Sequence, residues 1–286
     1  MDYLERARKF RTKKRLGQNF LVDECTIEEI TKHIKPEDCV LEIGPGVGFV
    51  TEEIVKCAKY LRAVELDEEA IQVLSLNLKM ASVGSGEKCD FEIIHNDILK
   101  TNLPDLQNEN KEKFKIVANI PYYITSPILA HLLGEIDEEE NKNRNTIDEI
   151  YLMVQYEVAK RLVADENSPN KEYGMLSILA QMWADVEIIK FVSSKCFWPR
   201  PKVDSAIVRL KIRKTPKAPL NPYFKRVVKA AFSQRRKTLK NCLQGAGFKN
   251  IEQVLEKLEI PVSVRGEKLS INDFANLSKE LYENKD

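Results

Sequence analysis

The residues best suited to chemistry in this sequence stand directly after short apolar runs. The segment 42–48 (Glu-Ile-Gly-Pro-Gly-Val-Gly) follows a run that begins at Val40, and Glu65 closes the next run, 21 residues after Gly44. Glycines at such a place let the backbone turn sharply into a helix and approach a ligand closely. A carboxylate that ends the neighbouring strand can accept hydrogen bonds from both hydroxyls of a ribose. Together these signals predict a site for a ligand that carries a nucleoside.

The spacing of the glycines narrows the class of ligand. The dinucleotide fingerprint G-x-G-x-x-G requires a glycine at position 49, where this chain has Phe49. The pattern here is G-x-G-x-G (Gly44, Gly46 and Gly48), which is common in enzymes that bind S-adenosylmethionine (SAM), a ligand without a pyrophosphate. A tight structural turn is the alternative. Asp97, beyond the third strand, is expected to accept the cofactor's adenine amine, although an aspartate there fits a helix N-cap or a turn equally well.

The most specific motif is Asn119-Ile120-Pro121-Tyr122, at the end of the fourth strand. Two acceptors, the side-chain oxygen of Asn119 and the carbonyl oxygen of Pro121, can bind the two hydrogens of an exocyclic amine such as N6 of adenine. They would favour a pyramidal nitrogen as positive charge develops in the transition state of methyl transfer. The ring of Tyr122 offers a surface on which a flipped or single-stranded base can stack. An ordinary proline-containing strand exit would not explain the flanking Asn and Tyr.

The elements that must position these residues alternate between strand and helix patterns. Five β-rich runs occur, and apolar residues recur at helical spacing between the first three of them. This alternation predicts an α/β fold with a doubly wound, mostly parallel sheet and ligands at the carboxyl ends of its strands. Two later runs are expected to close the sheet as an antiparallel edge pair. The five runs are 40–43, 61–65, 91–94, 115–118 and 150–154, and the later two are 186–192 and 206–212.

The chain is expected to fold as two domains. A Rossmann-like SAM-binding methyltransferase domain would span 16–213, preceded by a flexible basic arm at 1–15. Three prolines within 214–222 indicate a linker. Beyond it the apolar residues recur at helical spacing, which predicts a small all-helical domain over 223–286 that contacts RNA. The acidic stretch 135–148 is interpreted as a solvated loop.

Charge is unevenly distributed along the chain. The 286 residues carry a net charge of +1, but 195–249 holds sixteen Lys and Arg against one acid, Asp204. This segment therefore carries +15 and the rest of the chain −14. Such asymmetry indicates a polyanionic partner, with a solvated basic face as the alternative. Arg235, Arg236 and Lys237 are expected to share one helical turn and to bind RNA phosphates.

The cysteines, histidines and apolar runs argue against three other classes of protein. Six cysteines and three histidines are scattered without a Cys-x-x-Cys pair, so neither a zinc site nor a disulfide framework is expected. No run approaches the roughly 18 apolar residues of a membrane span, and no apolar segment follows the basic N-terminus. The sequence predicts a soluble, cytoplasmic protein that needs no metal.

Taken together, the ordered motifs strongly resemble the ribosomal RNA adenine N6-dimethyltransferases, most closely the bacterial type that acts on small-subunit RNA. The similarity runs from about Lys14 to Leu281 without a large gap. A set of five ordered motifs is far more specific than any one of them. The motifs are Gly17–Leu21, the glycine loop, Asn119–Tyr122, Phe197–Ser205 and Phe232–Leu239.

This resemblance implies a role for each matching residue. The residues that would close over SAM are Gln18, Asn19 and Leu21, and those that would contact it are Gly44, Gly46, Glu65, Asp97 and Asn119. Phe197 would line the target-base pocket opposite Tyr122. The implied substrate is a pair of adjacent adenosines in the hairpin loop near the 3′ end of 16S rRNA, within a precursor of the 30S subunit. Each adenosine would receive two methyl groups, and the enzyme would be a monomer.

Three rival functions remain open. A macrolide-resistance type of methyltransferase would share the catalytic motifs but modify large-subunit RNA, although the segments 232–239 and 265–270 look more like the small-subunit type. A DNA adenine methyltransferase is disfavoured because its usual motif has Pro where Ile120 stands. The same fold also serves as a non-catalytic assembly or transcription factor, against which the intact Asn119–Tyr122 motif argues. Tyr123 departs from the family, which usually has a polar residue there, and puts the shape of the base pocket in question.

Overall fold

A seven-stranded sheet forms the centre of the first of two compact units in the chain. The structure, a computed structural model, describes residues 2–13, 16–81, 89–169 and 172–284. Neighbouring strands of the sheet follow the order β4-β3-β2-β5-β6-β9-β7. These strands are β2 (Cys39–Ile43), β3 (Tyr60–Glu65), β4 (Asp90–His95), β5 (Phe114–Asn119), β6 (Ile147–Gln155), β7 (Ala184–Val192) and β9 (Ser205–Ile212).

The strand pairing confirms the fold expected from the alternating pattern. Strands β4, β3, β2, β5 and β6 pair in parallel, and β9 pairs antiparallel with β6. The two later runs lie side by side at one edge, with β7 outermost. Every residue of β2 is buried, because a central parallel strand is covered on both faces. The carboxyl ends of the parallel strands therefore meet at one edge of the sheet, where the predicted site residues follow them.

Twelve helices are found in the described part of the chain. Two helices precede the seven-stranded sheet in the chain: α1 (Tyr3–Lys9) and α2 (Glu24–Thr31). Four more lie between its parallel strands: α3 (Phe49–Cys57), α4 (Glu68–Ala81), α5 (Thr125–Leu133) and the short α6 (Lys142–Asn145). The later helices are α7 (Tyr156–Val163), α8 (Met175–Trp183), α9 (Phe224–Ser233), α10 (Leu239–Gly245), α11 (Ile251–Lys257) and α12 (Ile271–Glu283).

The N-terminal segment is folded onto the first unit, so the expectation of a flexible arm is wrong for its described residues. Asp2 caps helix α1 by accepting a hydrogen bond from the Leu4 N–H at 2.9 Å. Ala7 is fully buried, and the Arg6 guanidinium forms an ion pair with Glu52 of α3. The ion pair joins residues 46 positions apart, which a count of basic residues along the chain does not reveal.

A second, two-stranded sheet is formed by the segments around residues 20 and 197. Strand β1 (Phe20–Leu21) pairs antiparallel with β8 (Phe197–Trp198), and Leu21 lies opposite Phe197 in the register. Both strands are short and apolar, and Phe20, Leu21 and Phe197 belong to the buried core of the first unit. The pairing brings the segment after the N-terminal helix to the same sheet as the segment around residue 197.

The second compact unit is discontinuous in sequence. It consists of Leu133–Asn141, Lys160–Val186 and Arg213–Asp286, whereas the sequence suggested a contiguous helical domain beginning at 223. The stretch 214–222, expected to be a linker, is part of this unit: Ala218 is buried, and the Lys217 N–H donates to the Met182 carbonyl at 2.9 Å. Aromatic contacts such as that between Tyr173 and Phe232 explain why the earlier segments join it.

The acidic stretch 135–148 is more ordered than a solvated loop. Ile136, Arg144 and Thr146 are buried. The Trp183 indole N–H donates to the Glu135 carbonyl at 2.9 Å. The stretch therefore contributes to packing, although its acids dominate its composition.

Candidate active site

The predicted cofactor and catalytic residues meet in one cavity at the carboxyl edge of the parallel strands. It is formed by the segment before β1, the loops after β2, β3 and β4, and the turn after β5. This is the place where ligands bind in doubly wound sheets. The predicted residues that line it are Gln18, Asn19, Leu21, Gly44, Gly46, Glu65, Asp97, Asn119, Pro121 and Tyr122.

The glycine loop is shaped to hold a carboxylate. Gly46 has φ +59°, a backbone conformation that other L-residues rarely adopt, and its N–H donates to Glu65 Oε2 at 2.9 Å. The other oxygen of Glu65, Oε1, accepts the N–H groups of Leu66 and Asp67, each at 2.8 Å. Burial raises the pKa of Glu65, and the three N–H donors oppose that rise. Glu65 is thus a fixed acceptor whose Oε2 retains room for a ribose hydroxyl.

Glu42 is a site residue that sequence reasoning did not select, although it opens the glycine motif. Its side chain lines the cavity, is almost fully buried, and its Oε2 has no hydrogen-bond partner among the described residues. Burial raises the pKa of Glu42 to about 8. An unpaired buried acid is costly, so its presence at the cavity wall signals a place for a polar or cationic ligand group. The position of an acid inside an otherwise apolar strand was the available signal.

Asp97 caps a turn, and its place in the cavity is compatible with the second role that the sequence left open. Its Oδ1 accepts the Leu99 N–H at 3.0 Å and so caps the 3₁₀ turn that follows β4. The same side chain lines the cavity and is half-buried. Because a carboxylate has two oxygens, capping with Oδ1 leaves Oδ2 for a second donor such as an adenine amine.

A network of hydrogen bonds and an ion pair, centred on Asp67, holds the segment before β1 at the cavity. The Gln18 side-chain amide donates to Asp67 Oδ2 at 2.7 Å, and Lys13 Nζ lies 2.6 Å from Asp67 Oδ1. The Lys13 N–H in turn donates to Gln18 Oε1 at 2.8 Å. Burial opposes ionisation of Asp67, but these donors hold its pKa below the usual value. Gln18 therefore holds the segment before β1 in place through a side-chain network. Like Asn19 and Leu21, it also lines the cavity.

The turn after β5 supplies the acceptors expected for the substrate amine. Asn119 Nδ2 donates to the Asn19 carbonyl at 3.3 Å, which leaves Oδ1 as the amide's acceptor. The Pro121 carbonyl accepts the Ile124 N–H at 3.1 Å and retains one lone pair for another donor. The Tyr122 hydroxyl lies 2.7 Å from Ser205 Oγ of β9, which fixes the ring. Burial raises the pKa of Tyr122, so the phenol is neutral at physiological pH.

Two residues near this turn lie differently from what the motifs suggest. Phe197 is 2% exposed and is not among the residues that line the cavity, because β8 packs it against β1. Its role in a base pocket stays a prediction. Tyr123 lines the cavity, is 66% exposed, and packs beside Gly17. The departure from the family pattern therefore lies at the mouth of the cavity rather than among the amine acceptors.

The three cations predicted to bind RNA lie in the second unit, but not in a helical turn. Helix α9 ends at Ser233, and Thr238 caps α10, so Arg235, Arg236 and Lys237 occupy the connection between the two helices. A reverse turn, closed by the Lys237 N–H to the Gln234 carbonyl at 3.0 Å, orders the connection. All three side chains are exposed. The prediction of a helical turn was wrong because α9 stops before it reaches them.

Part of the positive charge of 195–249 is paired with acids from other parts of the chain. In the first unit Arg209 forms ion pairs with Glu149 and Glu187. In the second unit Lys225 lies 3.2 Å from Glu135 and 3.5 Å from Asp137. The acidic stretch therefore partners the basic one, instead of forming a separate acidic face. The cations for which the described residues provide no ion pair include Lys195, Arg200, Lys202, Arg236 and Lys237.

The donor and acceptor groups of the cavity fit SAM. Glu65 matches a ribose and Asp97 an adenine amine, while the buried acid Glu42 suits a cationic group. Across the described ranges, no group of three or more His, Cys, Asp or Glu side chains is arranged to hold a metal, and all six cysteines are free thiols. Within the same ranges, no helix is long and apolar enough to cross a membrane.

Comparison with known proteins agrees with this geometry. The sequence profile of the family "Ribosomal RNA adenine dimethylase" matches residues 9–283. Ribosomal RNA small subunit methyltransferase A of Clostridium botulinum (strain Loch Maree) is 41% identical over 280 residues, covering 96% of this chain and 95% of that protein. The protein of the same name from Ligilactobacillus salivarius is 42% identical over 282 residues, covering 94% and 90%.

Solved structures give the same result at the level of the fold. A dimethyladenosine transferase from Plasmodium falciparum has a TM-score of 0.73 and 26% identity, covering 91% of this chain and 96% of that one. The 23S rRNA methyltransferase ErmE has a TM-score of 0.66 and 24% identity, covering 92% and 99%, and shares the fold. With its profile, relatives and cavity in agreement, this chain belongs to the ribosomal RNA adenine dimethylase family of SAM-dependent methyltransferases.

Proposed function

We propose that this protein dimethylates N6 of two adjacent adenosines in the hairpin loop near the 3′ end of 16S rRNA, within a precursor of the 30S subunit. The observation that carries the proposal is the orientation of Asn119, whose amide nitrogen is engaged by Asn19 so that its oxygen can accept a substrate hydrogen. The names of the relatives that are about 40% identical over nearly the whole chain support the small subunit as the target.

The residues act by holding and orienting the two reactants. SAM supplies an electrophilic methyl group on its sulfonium. Asn119 Oδ1 and the Pro121 carbonyl accept the two N6 hydrogens, which favours a nitrogen with an available lone pair. Tyr122, fixed by Ser205, supports the adenine ring from one side. Transfer forms the N6–CH3 bond as the S–CH3 bond breaks, and no covalent bond to the enzyme is required.

The proton leaves after the methyl group has been transferred. No histidine, lysine or cysteine is found among the described residues that line the cavity, so none is placed there as a dedicated base. The alkylated nitrogen is strongly acidic and can lose its proton to water. One of the two acceptors then binds the single N6 hydrogen of the monomethylated product for a second transfer.

Binding of the RNA backbone is assigned to the exposed cations Arg235, Arg236 and Lys237 of the second unit. Phe197 is assigned to the base pocket opposite Tyr122, a role for which its ring would have to leave its buried position in β8. We also assign to the enzyme a cytoplasmic location, a monomeric state and no requirement for a metal.

The proposal is tested by giving the purified protein isolated, unmethylated small and large subunits with tritiated SAM, and by mapping the labelled adenosines. We expect label on two neighbouring adenosines of small-subunit RNA, and four methyl groups per particle at completion. Label confined to large-subunit RNA would favour the macrolide-resistance type instead. Absence of label on either subunit, with SAM still bound, would favour a non-catalytic assembly factor.

A further inference from the structure

Two aromatic side chains outside the cavity are exposed side by side. Tyr156, at the start of α7, is 39% exposed, and Phe191, near the end of β7, is 52% exposed. Their ring centroids are 5.2 Å apart and their planes meet at 89°. Val203, also in the first unit, is 43% exposed. An exposed aromatic pair of this kind leaves apolar ring surface in water, where it is available to a stacking partner.

The aromatic pair lies at the same edge of the sheet as the substrate acceptors. In the antiparallel ladder between β6 and β9, Gln155 lies opposite Ser205, whose hydroxyl contacts Tyr122. Tyr156 is the next residue after Gln155, and its N–H donates to the Asp204 carbonyl at 3.0 Å. Because neighbouring strands are about 5 Å apart, only a few such spacings separate the pair from Tyr122. A strand of RNA whose base stacks on Tyr122 therefore has its next nucleotides within reach of the pair.

The loop that follows Phe191 carries exposed charges that suit a polyanion. Lys195, Arg200 and Lys202 are exposed in the loop between β7 and β9, and this loop also carries Val203. Arg200 is held by a hydrogen bond from its Nε to Ser194 Oγ at 3.1 Å. The acid of the loop, Asp204, has its carboxylate engaged by the Ser194 N–H at 2.8 Å. Exposed rings beside exposed cations are the combination that binds single-stranded nucleic acid.

We propose that Tyr156 and Phe191 form a second stacking platform, which holds an unpaired nucleobase next to the target adenosine while the neighbouring cations bind its phosphates. The proposal rests on the proposed function, since it assumes that an RNA strand enters the cavity at Tyr122. Two rings at right angles form a corner, in which a base can stack on one face and place its edge against the other ring. The platform would keep the flanking nucleotide unstacked from the target and so fix the register of the strand.

The first test uses steady-state methylation of unmethylated small subunits by four variants. We expect Tyr156→Ala and Phe191→Ala each to raise KM for the subunit about tenfold, as stacking energies suggest, with kcat within about twofold of wild type. Tyr156→Phe keeps the ring and should keep the wild-type KM. Leu76→Ala, which trims an exposed apolar side chain of α4, is the matched control and should have no effect. SAM affinity, measured by calorimetry, should be equal in all four and reports that they are folded.

The second test measures binding to an RNA hairpin that carries the target adenosines, by fluorescence anisotropy. We expect the alanine variants to bind about tenfold more weakly, and this loss to disappear on a hairpin in which the nucleotides flanking the target adenosines are abasic. Wild-type KM and RNA affinity in both alanine variants would overturn the platform. So would a loss that is equally large on the abasic RNA, since the pair would then contact another part of the particle. If wild-type enzyme methylated no small subunits, the proposed function would fail, and the binding measurement would still decide on the platform.

Discussion

The two halves of the sheet's carboxyl edge present different kinds of groups to their ligands. At the ends of β2 and β3, the acceptors are buried carboxylates, and Glu65 is held by three backbone N–H groups. At the ends of β5, β6 and β7, the groups are side chains of the amide and aromatic types, and Tyr123, Tyr156 and Phe191 expose more than a third of their surface.

This difference follows from what each half must bind. A cofactor is small and invariant in shape, so backbone donors and buried acids can be fixed in advance and lose no entropy on binding. An RNA strand is long and must move between successive methyl transfers, so exposed rings and solvated cations suit it better. Asn119 stands at the junction, since its amide nitrogen contacts Asn19 on the cofactor side and we propose that its oxygen accepts a substrate hydrogen.

The largest expected effect is at this junction. Asn119→Ala removes one of the two acceptors for the N6 amine, and we expect kcat to fall by about 10²–10³, the range seen when a polar transition-state contact is deleted. KM for the subunit should change little because the stacking surfaces remain. Single-turnover methylation of small subunits measures the effect. Asn119→Asp keeps an oxygen at the same place and should retain more activity than the alanine variant. Near-normal rates with alanine would mean that the amide does not act on the substrate.

In the cofactor half, the substitution that tests SAM binding most directly is Gly46→Ala. A Cβ there would lie 2.8 Å from the Phe20 ring, and φ is +59°. Because a non-glycine residue in this region costs about 1–2 kcal/mol, we expect Gly46→Ala to weaken SAM binding by about tenfold or more. Calorimetric titration with SAM measures it.

A matched glycine separates this effect from a general loss of stability. A Cβ on Gly245, in helix α10, would have no neighbouring atom within 4 Å, so Gly245→Ala should leave SAM affinity unchanged. It should also raise the free energy of unfolding by about 0.5 kcal/mol, since alanine favours a helix. Equal SAM affinities in the two alanine variants would show that the loop does not need its left-handed conformation for the cofactor.

The extent to which the sequence predicts the site differs between the same two halves. The glycine loop, Glu65, Asp97 and Asn119 were found because each follows a strand whose apolar run is visible, and strand ends of a parallel sheet converge by geometry. Local pattern thus encodes the cofactor half almost completely. The exception is Glu42: an acid inside an apolar run was visible in the sequence, but its burial at the cavity wall depends on the tertiary fold.

Non-local contacts could not be predicted in the same way. Arg6 pairs with Glu52, and Arg209 with Glu149, across 46 and 60 positions of sequence. Without them the N-terminal segment looks like a flexible arm and the basic segment like an uninterrupted charged surface. The segment 160–186 joins the second unit because of its tertiary contacts, and no shift in composition marks its limits.

The smallest expected effect concerns the stability of the cofactor half and its dependence on pH. The folded protein holds Glu42 with a pKa of about 8, above the value of 4.5 expected when the chain is unfolded. Between these two values the folded state binds more protons than the unfolded state, so the free energy of unfolding must fall as pH rises through this window. Glu42→Gln cannot ionise and removes the fall. We therefore expect the Tm of wild type to decrease relative to that of Glu42→Gln by roughly 3 °C or more between pH 5 and pH 8.

Circular dichroism melts of the SAM-free protein at four pH values measure the difference. Glu28→Gln, which changes an exposed acid of α2, is the control variant and should follow wild type. A difference between Glu42→Gln and wild type that stayed constant across this range would mean that Glu42 is ionised in the folded protein. The burial of Glu42 would then not oppose its ionisation, and the contrast in buried acids between the two halves would rest on Glu65 alone.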